Sequence, residues 1–162
     1  DTEIRNASEG KEAWVKIKIN HITDTDMVTK LYQASKAGVK IDIVIRGNCS
    51  LVPGIKGLSE NIRCVGIIDR YLEHSRILIF ANGGKPRYFL GSADWMPRNL
   101  LNRIEVLTPV YDEELQADLM RTISYGMRDT TNGRIVDGKG TNNFVEGEPF
   151  RSQQELYKEY KK

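Results

Sequence analysis

The stretch that decides the fold runs from Tyr71 to Leu100 and reads YLEHSRILIFANGGKPRYFLGSADWMPRNL. Ile77, Leu78, Ile79 and Phe80 are an unbroken apolar run, the pattern of a strand covered on both faces. Asn82-Gly83-Gly84-Lys85-Pro86 follows, with glycines suited to a reversing turn, so that Arg76–Ala81 and Arg87–Leu90 read as two joined strands. His74 and Arg76 open the first run, and a turn of small residues, Gly91-Ser92-Ala93-Asp94-Trp95, closes the second. Both sets lie where a strand hands its polar residues to the rim of a sheet, the place where α/β folds bind their ligands.

Working outward toward the N-terminus, Trp14–Asn20 alternates, with Val15, Ile17 and Ile19 on one face and Lys16 and Lys18 on the other, as in a half-buried strand. Thr23 and Asp26 give a Thr-x-x-Asp helix start, Met27, Leu31 and Ala34 recur at helical spacing, and Gly38 supplies the stop. Val39, Ile41, Ile43 and Ile45 alternate again, up to Arg46-Gly47. Strand, helix and strand in this order predict a βαβ unit. Residues 48–61 read as loop and Arg63–Ile68 as a short strand. Toward the C-terminus, Ile104–Val110 reads as a strand. Asp112 caps a helix whose inner face carries Leu115, Leu119 and Ile123 and which ends at Gly126. Residues 127–150, rich in Gly, Asn and Asp, are expected to wrap the surface before a last short helix from Ser152. The sum is an α/β fold, a mixed sheet flanked by helices in a single domain over 14–134. Residues 1–13 read as a linker or the end of a preceding helix, and 135–162 as a C-terminal extension.

Composition narrows the function classes. A chain of 162 residues is long enough for a real core, and a net charge of +2 is too small for nucleic-acid binding by bulk electrostatics. No run approaches a membrane-spanning length. The opening DTEIRNASEG, polar and without Met, is expected of a fragment of a longer protein. Cys49 and Cys64 sit in or beside apolar segments, which favours free thiols in a reducing cytoplasm over a disulfide or a metal site.

Several residues can carry chemistry, each with a bland alternative. His74 can exchange a proton or bond a phosphate oxygen, or it is a satisfied structural histidine. Arg76, two residues on, points to the same face, and its planar fork suits phosphate oxygens. At Gly91–Asp94 the backbone can approach an anion closely and Ser92 can bond it, while Asp94 caps the next turn or holds His74 in one tautomer; the alternative is a plain tight turn. Arg46 is either a phosphate clamp at a strand end or a solvated residue. Arg98 and Asn99 are weaker extensions of a basic rim. His21 reads as structural or exposed, and Tyr71, Tyr88, Phe89 and Trp95 as packing.

The segment from Gly47 to Val110, with AGVKIDIVIRG (37–47) before it and a DxxNxR-like Asp129, Asn132 and Arg134 after it, closely resembles the C-terminal part of bacterial polyphosphate kinases. LEHSRI (72–77) and GSADWMPRNL (91–100) are specific to that family. The resemblance implies the second of two phospholipase D-like domains that face each other across a tunnel. It implies reversible transfer of the terminal phosphate of ATP to inorganic polyphosphate. By position, His74 matches the family's second active-site histidine, which contacts the nucleotide phosphates and assists transfer, and Arg46 matches an arginine that binds the ATP phosphates. The phosphorylated histidine, the adenine site and the Mg2+-linked residues are implied to lie in a preceding domain, with Mg2+ arriving with ATP. Against the wider phospholipase D pattern, Arg76 replaces Lys, Ala81 replaces Asp, Asp94 replaces Asn, and one histidine motif stands where two are required.

The expectation is therefore half of a phosphoryl-transfer site, with catalytic His74 and phosphate-binding Arg46, His74, Arg76, Ser92 and Asp94. Its partners are ATP or ADP, polyphosphate, preceding domains of the same polypeptide and, in the full-length protein, further copies of it; nucleic acid is not among them. The location expected is cytoplasmic, with membrane association of the full-length enzyme left open. Two alternatives stand beside it: a phospholipase D-like phosphodiesterase, and a polyphosphate-binding module that is inactive when isolated.

Overall fold

The computed structural model describes residues 1–161, and thirteen short segments lie among them. Residue 162, the last of the expected C-terminal extension, lies outside the described residues. Seven strands form one sheet: β1 (Trp14–Ile19), β2 (Lys40–Ile45), β3 (Ile62–Ile67), β4 (Arg76–Phe80), β5 (Arg87–Gly91), β6 (Leu107–Val110) and β7 (Gly133–Ile135), in the order β6-β5-β4-β1-β2-β3-β7. The helices are α1 (Thr2–Ser8), α2 (Thr25–Lys36), α3 (Pro97–Asn102), α4 (Glu113–Met127) and α5 (Ser152–Tyr160), with a 3-10 turn at Asn82–Gly84. The sheet is mixed, as expected: β1, β2 and β3 are parallel, while β4, β5, β6 and β7 each run against their neighbours.

That topology sets where polar residues gather. The three parallel strands end at one edge. β4 runs opposite to β1, so it starts there, and the pairing of Arg76 with Gly91 returns the end of β5 to the same edge. The pairing of Ile67 with Gly133 starts β7 there too. Asn20, Arg46, His74, Asp94 and Asn132 thus come to one rim from distant parts of the chain.

The two parities of the central strands feed two cores. Val15, Ile17, Ile19, Ile41, Ile43, Ile45, Cys64 and Leu78 pack with Val28, Leu31 and Ala34 of α2 and with Ile4 and Ala7 of α1. Val44, Val65, Ile67, Ile77 and Ile79 pack on the other face with Ile123, Leu119 and Met120 of α4. Ile17, Ile43, Ile79 and Ile123 are fully buried, and each such side chain contributes about 1.5–3 kcal/mol.

The structure corrects the sequence reading in several places. Lys18 is not on a solvent face: its side chain is 5% exposed and its Nζ lies 2.7 Å from Glu73, because β1 is central and covered on both sides. The cap of α2 is Asp24, whose Oδ1 accepts from Met27 N at 3.0 Å, while the Thr23 N–H is drawn to Trp95 O. β6 begins only at Leu107, since Glu105 is pulled out of line by Ser92 and Asn99, and Ile104 is fully exposed. Leu115 is exposed. Gly126 does not end α4 but brings it onto the sheet, where an added Cβ would lie 2.9 Å from Val44. Within residues 127–150, β7 joins the sheet beside β3. Among the described residues no helix is long and apolar enough to cross a membrane.

Two buried carboxylates tie the loops to this frame. Asp129, fully buried, accepts from Thr131 N (3.0 Å), Asn132 N (2.8 Å), Ser152 N (2.8 Å) and Ser152 Oγ (2.6 Å), joining the end of α4 to β7 and α5. Asp94 accepts from Asn20 N (3.0 Å) and His21 N (3.2 Å), and Arg76 grips it through Nε (3.3 Å) and Nη2 (3.1 Å). Burial alone would raise the Asp94 carboxyl, but the bonds and charge of Arg76 and the two backbone donors outweigh it and hold it below the ordinary carboxylate range.

Two outcomes follow. Asp129→Ala leaves buried donors unpaired and is expected to lower stability by about 3 kcal/mol, read from the urea midpoint, with faster amide exchange in α5 than in β1. A carboxylate held low in the folded state stabilises above its unfolded value of about 3.9 and loses that contribution as pH falls through the folded value. The stability gap between the parent and Asp94→Asn should therefore be widest near neutral pH and narrow below about pH 4. A gap that stays constant down to acid pH would contradict this account of Asp94.

Candidate functional site

At the rim, Arg46 directly follows β2 and the segment before β4 carries His74. Arg46 Nε donates to Asn20 Oδ1 at 2.7 Å, and Arg46 Nη2 lies 3.1 Å from His74 Nδ1. A guanidinium can only donate, so Nδ1 accepts and the ring proton sits on Nε2. His74 is exposed and Arg46 half-buried. Among the described residues no carboxylate lies within 4.0 Å of Arg46, so its charge is uncompensated.

The backbone that carries His74 is fixed from below. Glu73, its neighbour, pairs with Lys18 and accepts from Gln153 Nε2 at 3.0 Å. Gln153 also clasps Tyr71 twice, accepting from its N–H (2.9 Å) and donating to its carbonyl (2.8 Å). Arg151 bonds Asp69 through Nε (2.9 Å) and Nη2 (2.6 Å) and holds that carboxyl below its ordinary range. The first turn of α5 therefore anchors residues 69–73. Arg76 Nη1 donates to His74 O at 2.8 Å, closing the other flank.

The expected site residues thus divide. Arg46 and His74 meet at the rim. Arg76 and Asp94 form an ion pair beneath it, 12% and 8% exposed, and Arg76 has no free fork. Asp94 neither caps α3, whose N-cap is Met96, nor bonds His74. Ser92 bonds the Glu105 carboxylate and accepts from Val106 N at 3.0 Å, and the Glu105 carboxyl is lowered by Ser92 and Asn99. Arg98 is exposed and Asn99 is buried on Glu105, so neither extends the Arg46 rim. His21 accepts from Asn48 N at 3.0 Å and packs against Gly47, where an added Cβ would fall 2.3 Å from its ring. Cys49 and Cys64 are free thiols. Asn20, Glu73, Lys18 and Gln153 were not among the site residues expected from the sequence. Asn20, directly after an alternating strand, was the one with a usable signal. The pair at the rim can hold an oxyanion on Arg46 and offer it the Nε2 proton of His74.

Residues 1–155 match the family model of the polyphosphate kinase C-terminal domain 2. A polyphosphate kinase of Vibrio vulnificus is 48% identical over 160 residues, which is 97% of this chain and 23% of that protein. The crystal structure of polyphosphate kinase from Porphyromonas gingivalis superposes with a TM-score of 0.93 at 41% identity, covering 99% of this chain and 25% of the other. A phospholipase D family member, Nuc of Salmonella typhimurium, shares the fold at a TM-score of 0.59 and 14% identity, over 83% of this chain and 89% of that one. The chain thus spans about a quarter of the kinases it matches, and it belongs to the polyphosphate kinase C-terminal domain 2 family.

Proposed function

We propose that this domain forms one wall of a site that moves the terminal phosphate of ATP to inorganic polyphosphate and back. The observation that carries the reading is the Arg46–His74 pair, an uncompensated guanidinium beside an exposed imidazole on a fixed backbone. In the transfer, Arg46 stabilises charge on the phosphoryl oxygens, and His74 bonds one of those oxygens or donates a proton to it. The histidine that carries the phosphate comes from another part of the polypeptide. Arg76, with Asp94, positions the pair and does not itself bind phosphate.

The donors present do not suit a divalent cation. The carboxylates nearest the site, Asp94 and Glu73, are each bonded to a cationic side chain. Mg2+ in this reading accompanies ATP, with its protein ligands outside this chain, and no step here passes through it. The free thiols support a reducing, cytoplasmic setting. A phosphodiesterase reading is weaker: Ala81, fully buried, stands at the aspartate position and Asp94 is consumed by Arg76.

In the whole kinase, His74→Ala is expected to lower polyphosphate synthesis by roughly a hundredfold or more, measured as labelled phosphate transferred from ATP; near-normal synthesis would sink the assignment. The chain by itself should bind tripolyphosphate weakly, with affinity that falls as salt rises, and consume no ATP.

A further inference from the structure

A second cationic feature lies at the same rim. The strand ends of β2, β3 and β7 enclose a cavity of about 430 Å3 lined by Arg46, Ile67, Ile68, Asn132, Arg134 and Phe144, among others. Ile45 pairs with Gly66 and Gly66 with Arg134, so the three stand side by side across adjacent strands. Two strand spacings put the Arg134 backbone about 10 Å from that of Ile45, the neighbour of Arg46.

Arg134 is held ready. Its guanidinium carbon lies 3.3 Å from the centroid of the Phe144 ring, and Nη1 donates to Asn142 O at 3.0 Å. Stacking on an aromatic face fixes the plane of the fork and leaves its remaining N–H groups unpaired. Among the described residues no carboxylate lies within 4.0 Å of Arg134, as with Arg46. Two like charges without counter-charges on one half-buried cavity are unfavourable until an anion enters. The cavity offers no acidic lining residue, so a metal cation is the wrong occupant. Arg46 belongs both to this cavity and to the His74 contact, so an anion in the cavity lies next to the group that His74 meets.

We propose that this cavity is a second phosphate subsite, in which Arg134 binds a phosphate of the same chain whose terminal group meets Arg46 and His74. The proposal rests on the transfer reading above and extends it. The phosphate comes either from the inorganic polyphosphate or from the nucleotide; the recognising chemistry is the same, and the test separates the two.

The whole kinase is prepared as the parent, Arg134→Gln and Arg134→Lys. Each is titrated calorimetrically with inorganic tripolyphosphate and, separately, with ATP, and thermal melts report the fold. Arg134→Gln is expected to weaken one of these by about tenfold, and Arg134→Lys, which keeps charge but loses the fork, by about threefold. Weakening confined to tripolyphosphate assigns the subsite to the polyphosphate chain; weakening confined to ATP assigns it to the nucleotide. Affinities for both probes within twofold of the parent in the folded variants overturn the subsite. Should Arg134→Gln fail to fold, Arg134→Lys decides alone by the same criterion. The His74→Ala measurement is independent: lost synthesis there with unchanged tripolyphosphate and ATP binding in the Arg134 variants removes the subsite and keeps the transfer reading. Normal synthesis there with weakened binding here removes the transfer reading and keeps an anion site.

Discussion

The Arg76–Asp94 ion pair is the constraint on which the rim depends. Asp94 follows β5, Arg76 opens β4, and the backbone donors of Asn20 and His21 that Asp94 accepts follow β1. One carboxylate therefore locks three strand ends in register. A buried pair of this kind contributes little net stability against an apolar replacement, but removing one partner strands a charge. Its value here is geometric. With its backbone fixed by Asp94, Asn20 presents Oδ1 to Arg46 Nε, and Arg46 in turn presents Nη2 to His74. Asp94 thus acts on the His74 ring through Asn20 and Arg46, and on its backbone through Arg76, without touching it.

The opposite flank is fixed by different means. Lys18 reaches out of the core strand to Glu73, and Gln153 and Arg151 of the α5 region hold Tyr71, Glu73 and Asp69. Asp129 secures Ser152 at the start of α5. An exposed histidine would ordinarily sample many positions; here its backbone is held by Arg76 on one side and through Glu73 on the other, and its ring is met by Arg46. That is the preorganisation a site requires when binding energy is to be used in the transition state rather than in ordering the protein.

The fold was legible because its signals are local. Alternation in β1 and β2, the apolar run of β4, the glycine turn after it and the Asp112 cap each lie within a few residues. β7 was not legible: three residues in a Gly- and Asn-rich stretch carry no periodicity, and their pairing with β3 depends on a fully buried Asp129 that reads as a loop residue in isolation. The site was half legible. His74 and Arg46 announce themselves by type and by strand-end position. The capture of Arg76 and Ser92 by other side chains does not, because the partners that claim them, Asp94 and Glu105, are 18 and 13 residues away. Lys18 misled for the same reason: alternation marks two faces but cannot say whether the second is covered. The resemblance to polyphosphate kinases supplied what periodicity could not, the grouping of His74 with Arg46 across 28 residues.

The rim as it stands faces water, and that bears on what the domain can do. An arginine acting on a phosphoryl oxygen in bulk solvent gains little, since the interaction is screened and water competes for each donor. The same arginine in a site closed to water is worth far more at the moment charge develops. The roles proposed for Arg46 and His74 therefore call for a second surface over the rim. The chain carries a collar suited to one: Leu101, Ile104, Val106 and Leu107 are all exposed, and Leu107 pairs with Gly91, which pairs with Arg76 at the site itself. Apolar groups clustered beside a cationic rim are costly to leave in water and are accounted for if a facing wall buries them as it closes the site. On the proposed reading, the uncompensated charge of Arg46 and the uncovered collar are two aspects of one requirement, a second surface over the rim.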